Sequence, residues 1–188
     1  MLSELLQNTN LFRLLHRIDI DLAAGQQKAG CPFCGSTLHY SNYQRQPRGG
    51  PPLDDELYIR FSLCCSNEKC RRRTLPKSTI FMGRRVYFGA AILIITTLNQ
   101  NIPQEYSKNL LSQLYEVNRQ TINNWLAYFR EIFPKTGIWK TARGLLGSEV
   151  GNHDLPESLM KHYCAHSPSS ESAIIKCLRL LSTGLATG

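Results

Sequence analysis

Apolar residues fall at positions 2, 5, 6, 12, 14, 15 and 18. This loose helical spacing predicts an N-terminal helical arm from Leu2 to about Ile18, ending before a linker from Gly25 to Gly30. Two strand-like stretches follow, Thr37–Tyr43 and Leu57–Cys64, on either side of the turn-forming run Pro47-Arg-Gly-Gly-Pro-Pro52. A two-stranded hairpin with a long connection is the expected result. From Arg84 the period becomes helical. One helix is predicted over Arg84–Leu98, apolar nearly all round, a second over Pro103–Tyr115 and a third from Arg119 to about Ile132. Pro103 suits a first helical turn, where its missing N–H would be unpaired in any case, and Asn118 suits an N-cap. Beyond Pro134 the pattern weakens into a connection from Gly137 to Gly151. Two short helices, Pro156–Cys164 and Ser170–Leu181, are then set apart by Ser167-Pro-Ser-Ser. No internal repeat is apparent.

The chain has 188 residues, 42% of them hydrophobic, which is enough for one ordinary domain or two small ones with a buried core. The run Val86–Leu98 falls well short of the roughly 20 apolar residues that cross a bilayer and reads as a buried helix. No membrane association is expected. The formal charge is +8 and unevenly spread. Between Cys31 and Arg85, ten Lys or Arg (45, 48, 60, 69, 71, 72, 73, 77, 84, 85) stand against four acids (54, 55, 56, 68), so this segment is the expected face for a polyanion. The first twelve residues carry no Lys or Arg, so no secretion signal is read there. With seven cysteines, an odd number, this points to a reducing, cytoplasmic location and to thiolates used on metal.

Cys31-x-x-Cys34, followed after a long loop by Cys65-x4-Cys70, supplies four soft thiolates in two tight turns, as tetrahedral Zn²⁺ requires. Gly35 eases the first turn. One structural ion is expected, closing two knuckles into a zinc ribbon. The intervening loop is longer than usual, and the second spacing is x4 instead of x2. Adjacent Cys64 and Cys65 cannot face the same way on a strand. Cys65 gives the tighter turn to Cys70 and is favoured as the ligand, which leaves Cys64 as a small buried hydrophobe; Cys64 is the alternative ligand. His162, Cys164 and His166, with Cys177 nearby, read as a fortuitous cluster, because Cys164 points away from the two histidines if that turn is helical.

Between Asn109 and Phe129, apolar residues at Leu110, Leu114, Val117, Ile122, Leu126 and Phe129 sit where a helix, a tight turn and a second helix need them for mutual packing. The opposite face of the second helix presents Arg119, Gln120, Asn123 and Asn124, side chains suited to bidentate bonds with base edges. Thr121 is placed to bond a phosphate through its hydroxyl and backbone N–H. Arg45, Arg48, Arg71, Arg72, Arg73, Lys77, Arg84 and Arg85 are the expected phosphate contacts. The fold class is therefore α+β, mainly α. A helical arm (1–29) precedes the zinc-ribbon hairpin (30–82), a three-helix helix-turn-helix unit (83–134) and a helical tail (135–188).

Cys31-Pro-Phe-Cys-Gly, Cys65–Cys70 with Arg71-Arg72-Arg73, and Val117-Asn-Arg-Gln-Thr-Ile-Asn-Asn-Trp-Leu126 together resemble the N-terminal regions of bacterial insertion-sequence transposases. The resemblance covers about Cys31 to Phe133 and implies DNA binding in the service of a mobile element. The sequence departs from that pattern in two places. Glu116 stands in the turn where such proteins often have glycine. Glu149, Asp154 and Glu157 lie too close together, in too short a tail, to be the dispersed carboxylates of the family's catalytic domain. Binding is carried over and cleavage is not, so no enzymatic activity is expected. The expected function is a zinc-dependent accessory or regulatory protein that binds double-stranded DNA. Its C-terminal stripe Ile174, Leu178, Leu181 and Leu185 would face a second copy, a recombinase or a transposase. The alternative is a zinc-ribbon adaptor for another polypeptide, or an RNA binder in which Tyr40, Tyr43 and Tyr58 stack on unpaired bases.

Overall fold

The computed structural model describes residues 2–82, 86–101, 107–146 and 150–183. Arg84, Arg85, Pro103, Glu149 and Leu185, and the start predicted for a helix at Pro103, lie outside the described residues; the helix predicted from Arg84 begins only at Gly89, because Val86–Phe88 are extended against Arg48. The chain is mainly helical, with two small antiparallel sheets. A 3-10 turn, Leu2–Gln7, leads into α1 (Thr9–Ala29), whose N-cap Asn8 accepts the backbone N–H of Asn10 and Leu11. Helix α1 does not stop near Ile18 but runs through Gly25 to a cap at Gly30. Its buried stripe continues as Leu11, Phe12, Leu15, Asp19 and Ala23. Two of those members are an aspartate and an alanine, so apolar spacing alone understates the helix.

Helix α2 (Gly89–Asn101) is the centre of the molecule. Residues Ala90 to Ile95 are all buried, and the helix touches the Leu2–Gln7 turn and four later helices, α3 (Ser107–Leu114), α4 (Arg119–Ala127), α6 (Glu157–Ala165) and α7 (Ser170–Thr183). A helix apolar on every side is stable only when it is covered on every side. Its two threonines satisfy their hydroxyls locally, Thr97 Oγ1 donating to the Leu93 carbonyl at 2.8 Å and Thr96 to that of Ile92. Just before it, Phe88 N donates to Arg48 O at 3.0 Å and Arg48 N to Val86 O at 2.8 Å, which holds that stretch extended.

After α4 the chain widens into a π-helical turn, Tyr128–Ile132, and then tightens into a 3-10 turn, Phe133–Lys135. Next comes α5 (Gly137–Leu146), where the sequence suggested only a connection. Gly137 and Gly144 mask it, but Trp139, Ala142 and Leu146 bury one face, and Thr136 Oγ1 accepts Trp139 N at 3.2 Å. Helices α6 and α7 pack on each other. Ile174, Leu178 and Leu181 of α7, expected to meet a partner, are buried in the chain's own core.

The expected hairpin is present but interrupted. β1 (Leu38–Tyr40) pairs with β4 (Leu63–Cys65), and β2 (Tyr43–Gln44) with β3 (Ile59–Arg60). Between the two ladders the Asn42 side chain accepts Ser62 N at 3.1 Å. A third strand that the sequence did not suggest, β5 (Arg73–Thr74), adds to the free edge of β4.

The small sheets are tied to the helices by buried polar groups. Asp19 of α1, 2% exposed, accepts the backbone N–H of Thr79 at 2.5 Å and of Ile80 at 3.4 Å, the Thr79 hydroxyl at 2.8 Å and the Ser78 hydroxyl. Burial pushes its carboxyl above the ordinary range, and these four donors oppose that push. Arg60, counted above with the surface cations, is 4% exposed. Its guanidinium donates to the carbonyls of Pro76 at 2.7 Å and Phe61 at 3.2 Å.

The turn from α3 to α4 has a defined geometry. Glu116 has φ 51°, in the left-handed region, and Val117 N donates to Ser112 O at 3.1 Å. That six-to-one bond and left-handed residue close the helix as a Schellman motif, with Val117 and Leu111 both buried in the main core. Leu111, not the 37% exposed Leu110, therefore supplies the packing position. Trp125 is likewise a core residue.

Two outcomes follow. Asp19→Ala leaves the Thr79 and Ile80 amides without an acceptor and is expected to lower stability by about 3 kcal/mol, read as a reduced urea midpoint at unchanged slope. Glu116→Gly relieves the left-handed residue and is expected to raise stability by about 0.5–1 kcal/mol in the same measurement.

Candidate metal centre and its cationic surround

The first thiol turn is built by its own backbone. Cys31 N donates to Ser36 O at 2.9 Å and Gly35 N to Cys31 O at 2.8 Å, with Gly35 at φ 74°. Gly30 precedes it at φ 81°, where a β-carbon would lie 2.9 Å from the Gly35 carbonyl oxygen, so the end of α1 and the first knuckle fit together only through glycine. The second turn is held by Asn67, whose carbonyl accepts both Cys70 N and Arg71 N at 2.9 Å and whose side chain accepts Lys69 N at 2.9 Å. Arg71 leaves this turn at φ 46°, and Cys65 N closes it on Arg72 O at 3.0 Å.

These turns bring Cys31, Cys34, Cys65 and Cys70 together, all four sulfurs within 4.8 Å of one another. Cys34 and Cys65 are 3.4 Å apart at Sγ, and Cys31 and Cys70 are 3.9 Å apart. Four sulfurs at 2.3 Å from one tetrahedral ion stand about 3.8 Å apart, so the set fits a single closed metal site. Among the described residues this is the one group of His, Cys, Asp and Glu gathered closely enough to hold a metal. Hydrogen bonds from Ser36, side chain and backbone, hold the Cys34 thiol down to about 6, while burial pushes Cys65 up to about 12. Beneath the sulfurs lies a separate apolar cluster of only Cys31, Leu38, Leu63 and Cys65, with Cys70 packed against it. Two leucines are too little core to hold these turns by burial alone, and a metal bound by four thiolates contributes that stability directly.

Strand alternation decides between the adjacent cysteines. Cys65 pairs with Leu38 on the buried side, and Cys64 pairs with His39 and Arg73 on the other. Cys64 is half-exposed instead of a buried hydrophobe, its Sγ 3.9 Å from the carbonyl oxygens of Cys65 and Arg71. Elsewhere, Cys164 is exposed and Cys177 is buried against the Leu159 carbonyl, so neither joins a thiol–imidazole group.

The expected phosphate contacts fall into distinct settings. Arg71, Arg72 and Arg73 are all exposed. The Arg72 guanidinium lies 4.5 Å from the Phe33 ring centroid in the first knuckle, and Arg73 donates to Ser41 Oγ at 3.2 Å beside Tyr43. Arg48 is exposed, with its backbone pinned beside Tyr87, whose ring meets Trp125 of α4 edge-on at 5.0 Å. Arg45 is half-buried. Lys77 is exposed but donates to Thr183 O at 2.7 Å, at the carbonyl end of α7 where a cation is favoured.

On α4, Asn118 caps the helix by accepting Gln120 N at 2.8 Å. Arg119, Gln120 and Asn124 are exposed; Thr121 and Asn123 are half-buried. The Thr121 N–H, expected to meet a phosphate, donates to Asn118 O at 2.9 Å. Of the hairpin tyrosines, Tyr58 is buried with its hydroxyl accepting Leu53 N at 2.8 Å, Tyr43 is half-buried and Tyr40 is exposed. The bond from Arg60 to the Pro76 carbonyl and the Arg72–Phe33 contact had no signal in the sequence, because each pairs residues distant along the chain.

Comparison with protein-family models, with curated proteins and with solved structures finds no match to this chain.

Cys31→Ser is expected to lose bound metal and to unfold the sheet around β1 and β4, whereas Cys64→Ser keeps a full complement. Metal-to-protein stoichiometry by atomic emission checks both, and equal loss in the two variants overturns the ligand assignment.

Proposed function

We propose that this chain is a zinc-dependent DNA-binding protein, an accessory or regulatory factor of a mobile genetic element. It holds duplex DNA through a basic zinc ribbon and a recognition helix, with no chemistry of its own. The four thiolates take one Zn²⁺ as a closed structural site. Arg71, Arg72 and Arg73 neutralise phosphates and supply affinity without sequence choice. Helix α4, set by the Glu116 turn against α3, presents amides and Arg119 to the major groove.

The observation that supports this most is the state of the cations. Among the described residues, no carboxylate forms an ion pair with Arg71, Arg72, Arg73 or Arg119, and all four face solvent. Exposed arginines free of carboxylate partners suit a polyanion. The mobile-element context rests on the resemblance to transposase N-terminal regions alone. A second reading, an RNA binder, is favoured by Phe33 and Tyr40, 56% and 45% exposed beside the arginines, where unpaired bases could stack.

Fluorescence anisotropy with labelled duplex over a salt series tests the reading. Affinity is expected to fall steeply with salt, and Arg72→Ala is expected to weaken all duplexes alike while reducing the log–log slope by about one. Flat salt dependence favours a protein-binding adaptor, and tighter binding to single-stranded RNA than to duplex favours the second reading. Metal analysis is expected to find one zinc per chain.

A further inference from the structure

On the exposed face of α4, Gln120 and Asn124 are one helical turn apart, and Gln120 Nε2 donates to Asn124 Oδ1 at 3.0 Å. This bond draws the two side chains together. With one Nε2 hydrogen committed, Gln120 still offers its carbonyl oxygen as an acceptor and its second Nε2 hydrogen as a donor, and Asn124 keeps its amide hydrogens. Turned over together the two amides keep a bond between them, and in either arrangement Gln120 shows a free acceptor lone pair and at least one free N–H. Gln120 also stands in the first turn of α4, its backbone N–H bound to the Asn118 side chain at 2.8 Å, and N-terminal residues of a recognition helix are the ones that reach base edges.

We infer that Gln120 is the specificity-determining residue of this face and that it reads adenine. An adenine edge in the major groove presents the N6 amino donor beside the N7 acceptor, the complement of the acceptor and N–H that Gln120 displays. Guanine, whose edge offers two acceptors, leaves the Gln120 oxygen without a donor and is disfavoured. Asn124 is the positioning residue. It holds the Gln120 amide before DNA arrives, so less side-chain freedom is lost on binding. This inference rests on the reading of the chain as a duplex DNA binder.

The test is selection of preferred sites from a random duplex library with the full, zinc-loaded chain, followed by affinity measurement on single-base variants. All the altered side chains are exposed, and zinc content and far-UV circular dichroism verify folding. The wild-type protein is expected to select an A·T pair at one position. Gln120→Ala should abolish that preference, a loss of about five- to 150-fold in discrimination, with other positions unchanged. Asn124→Ala should weaken preference at the same position. Asn124→Asp, which keeps the oxygen that Gln120 donates to, should retain the preference while lowering affinity for every duplex. A merely helix-stabilising bond would move none of these preferences.

Gln120→Ala leaving a sequence-selective protein with its motif intact overturns this inference alone, as does identical behaviour of the two Asn124 variants at that position. A folded wild-type protein that selects no duplex overturns the inference and the underlying reading together.

Discussion

The carboxylate of Asp19 fixes how the two halves of this molecule meet. It sits on α1, inside the helical core, and gathers the hydroxyls and amides of Ser78, Thr79 and Ile80, the segment that carries the chain from the last strand toward α2. Arg60 works from the other side, tying the carbonyls of Phe61 and Pro76. A buried carboxylate is tolerated only when its lone pairs are filled by donors, and here those donors come from a loop that has no other regular partner. The sheet bearing the thiols is thereby held in a fixed place against the helices.

Energetically the two halves differ. The helical side has a large continuous core around α2, with Phe12, Phe88, Phe129, Phe133 and Trp139 all buried in it. The strand side has two leucines and the cysteine side chains. A unit with so little core gains most from a metal bound by its four gathered thiols. The arginines that follow Cys70 take their directions from the turn that Asn67 holds.

The turn between α3 and α4 illustrates how a chain can meet a backbone requirement without the usual residue. Glu116 adopts the left-handed conformation that glycine adopts more easily, and the Val117–Ser112 bond and the burial of Val117 offset the strain. The outward face of α4 then carries the exposed Arg119, Gln120 and Asn124, the setting on which the proposed function depends.

The gathering of four cysteines, the position of Asn118 as a cap, the burial of the apolar run in α2 and the existence of the hairpin were legible in the sequence, because each depends on residues close together along the chain or on one local period. Cys64 against Cys65 was legible in part, since strand alternation separates them but only the pairing with Leu38 shows which one faces the sulfurs. The extension of α1 past Ile18, the strand at Arg73, the helix from Gly137 and the burial of Arg60 and of the α7 stripe were decided by tertiary structure alone. In each case a distant partner supplied the stabilisation: the Ser78–Ile80 loop for Asp19, the free edge of β4 for Arg73, the core for Trp139 and the Pro76 carbonyl for Arg60. Local patterning records what a residue prefers next to its neighbours. It carries no record of which remote group will satisfy a buried charge or cover an apolar face, and those contacts form only when the whole chain has closed on itself.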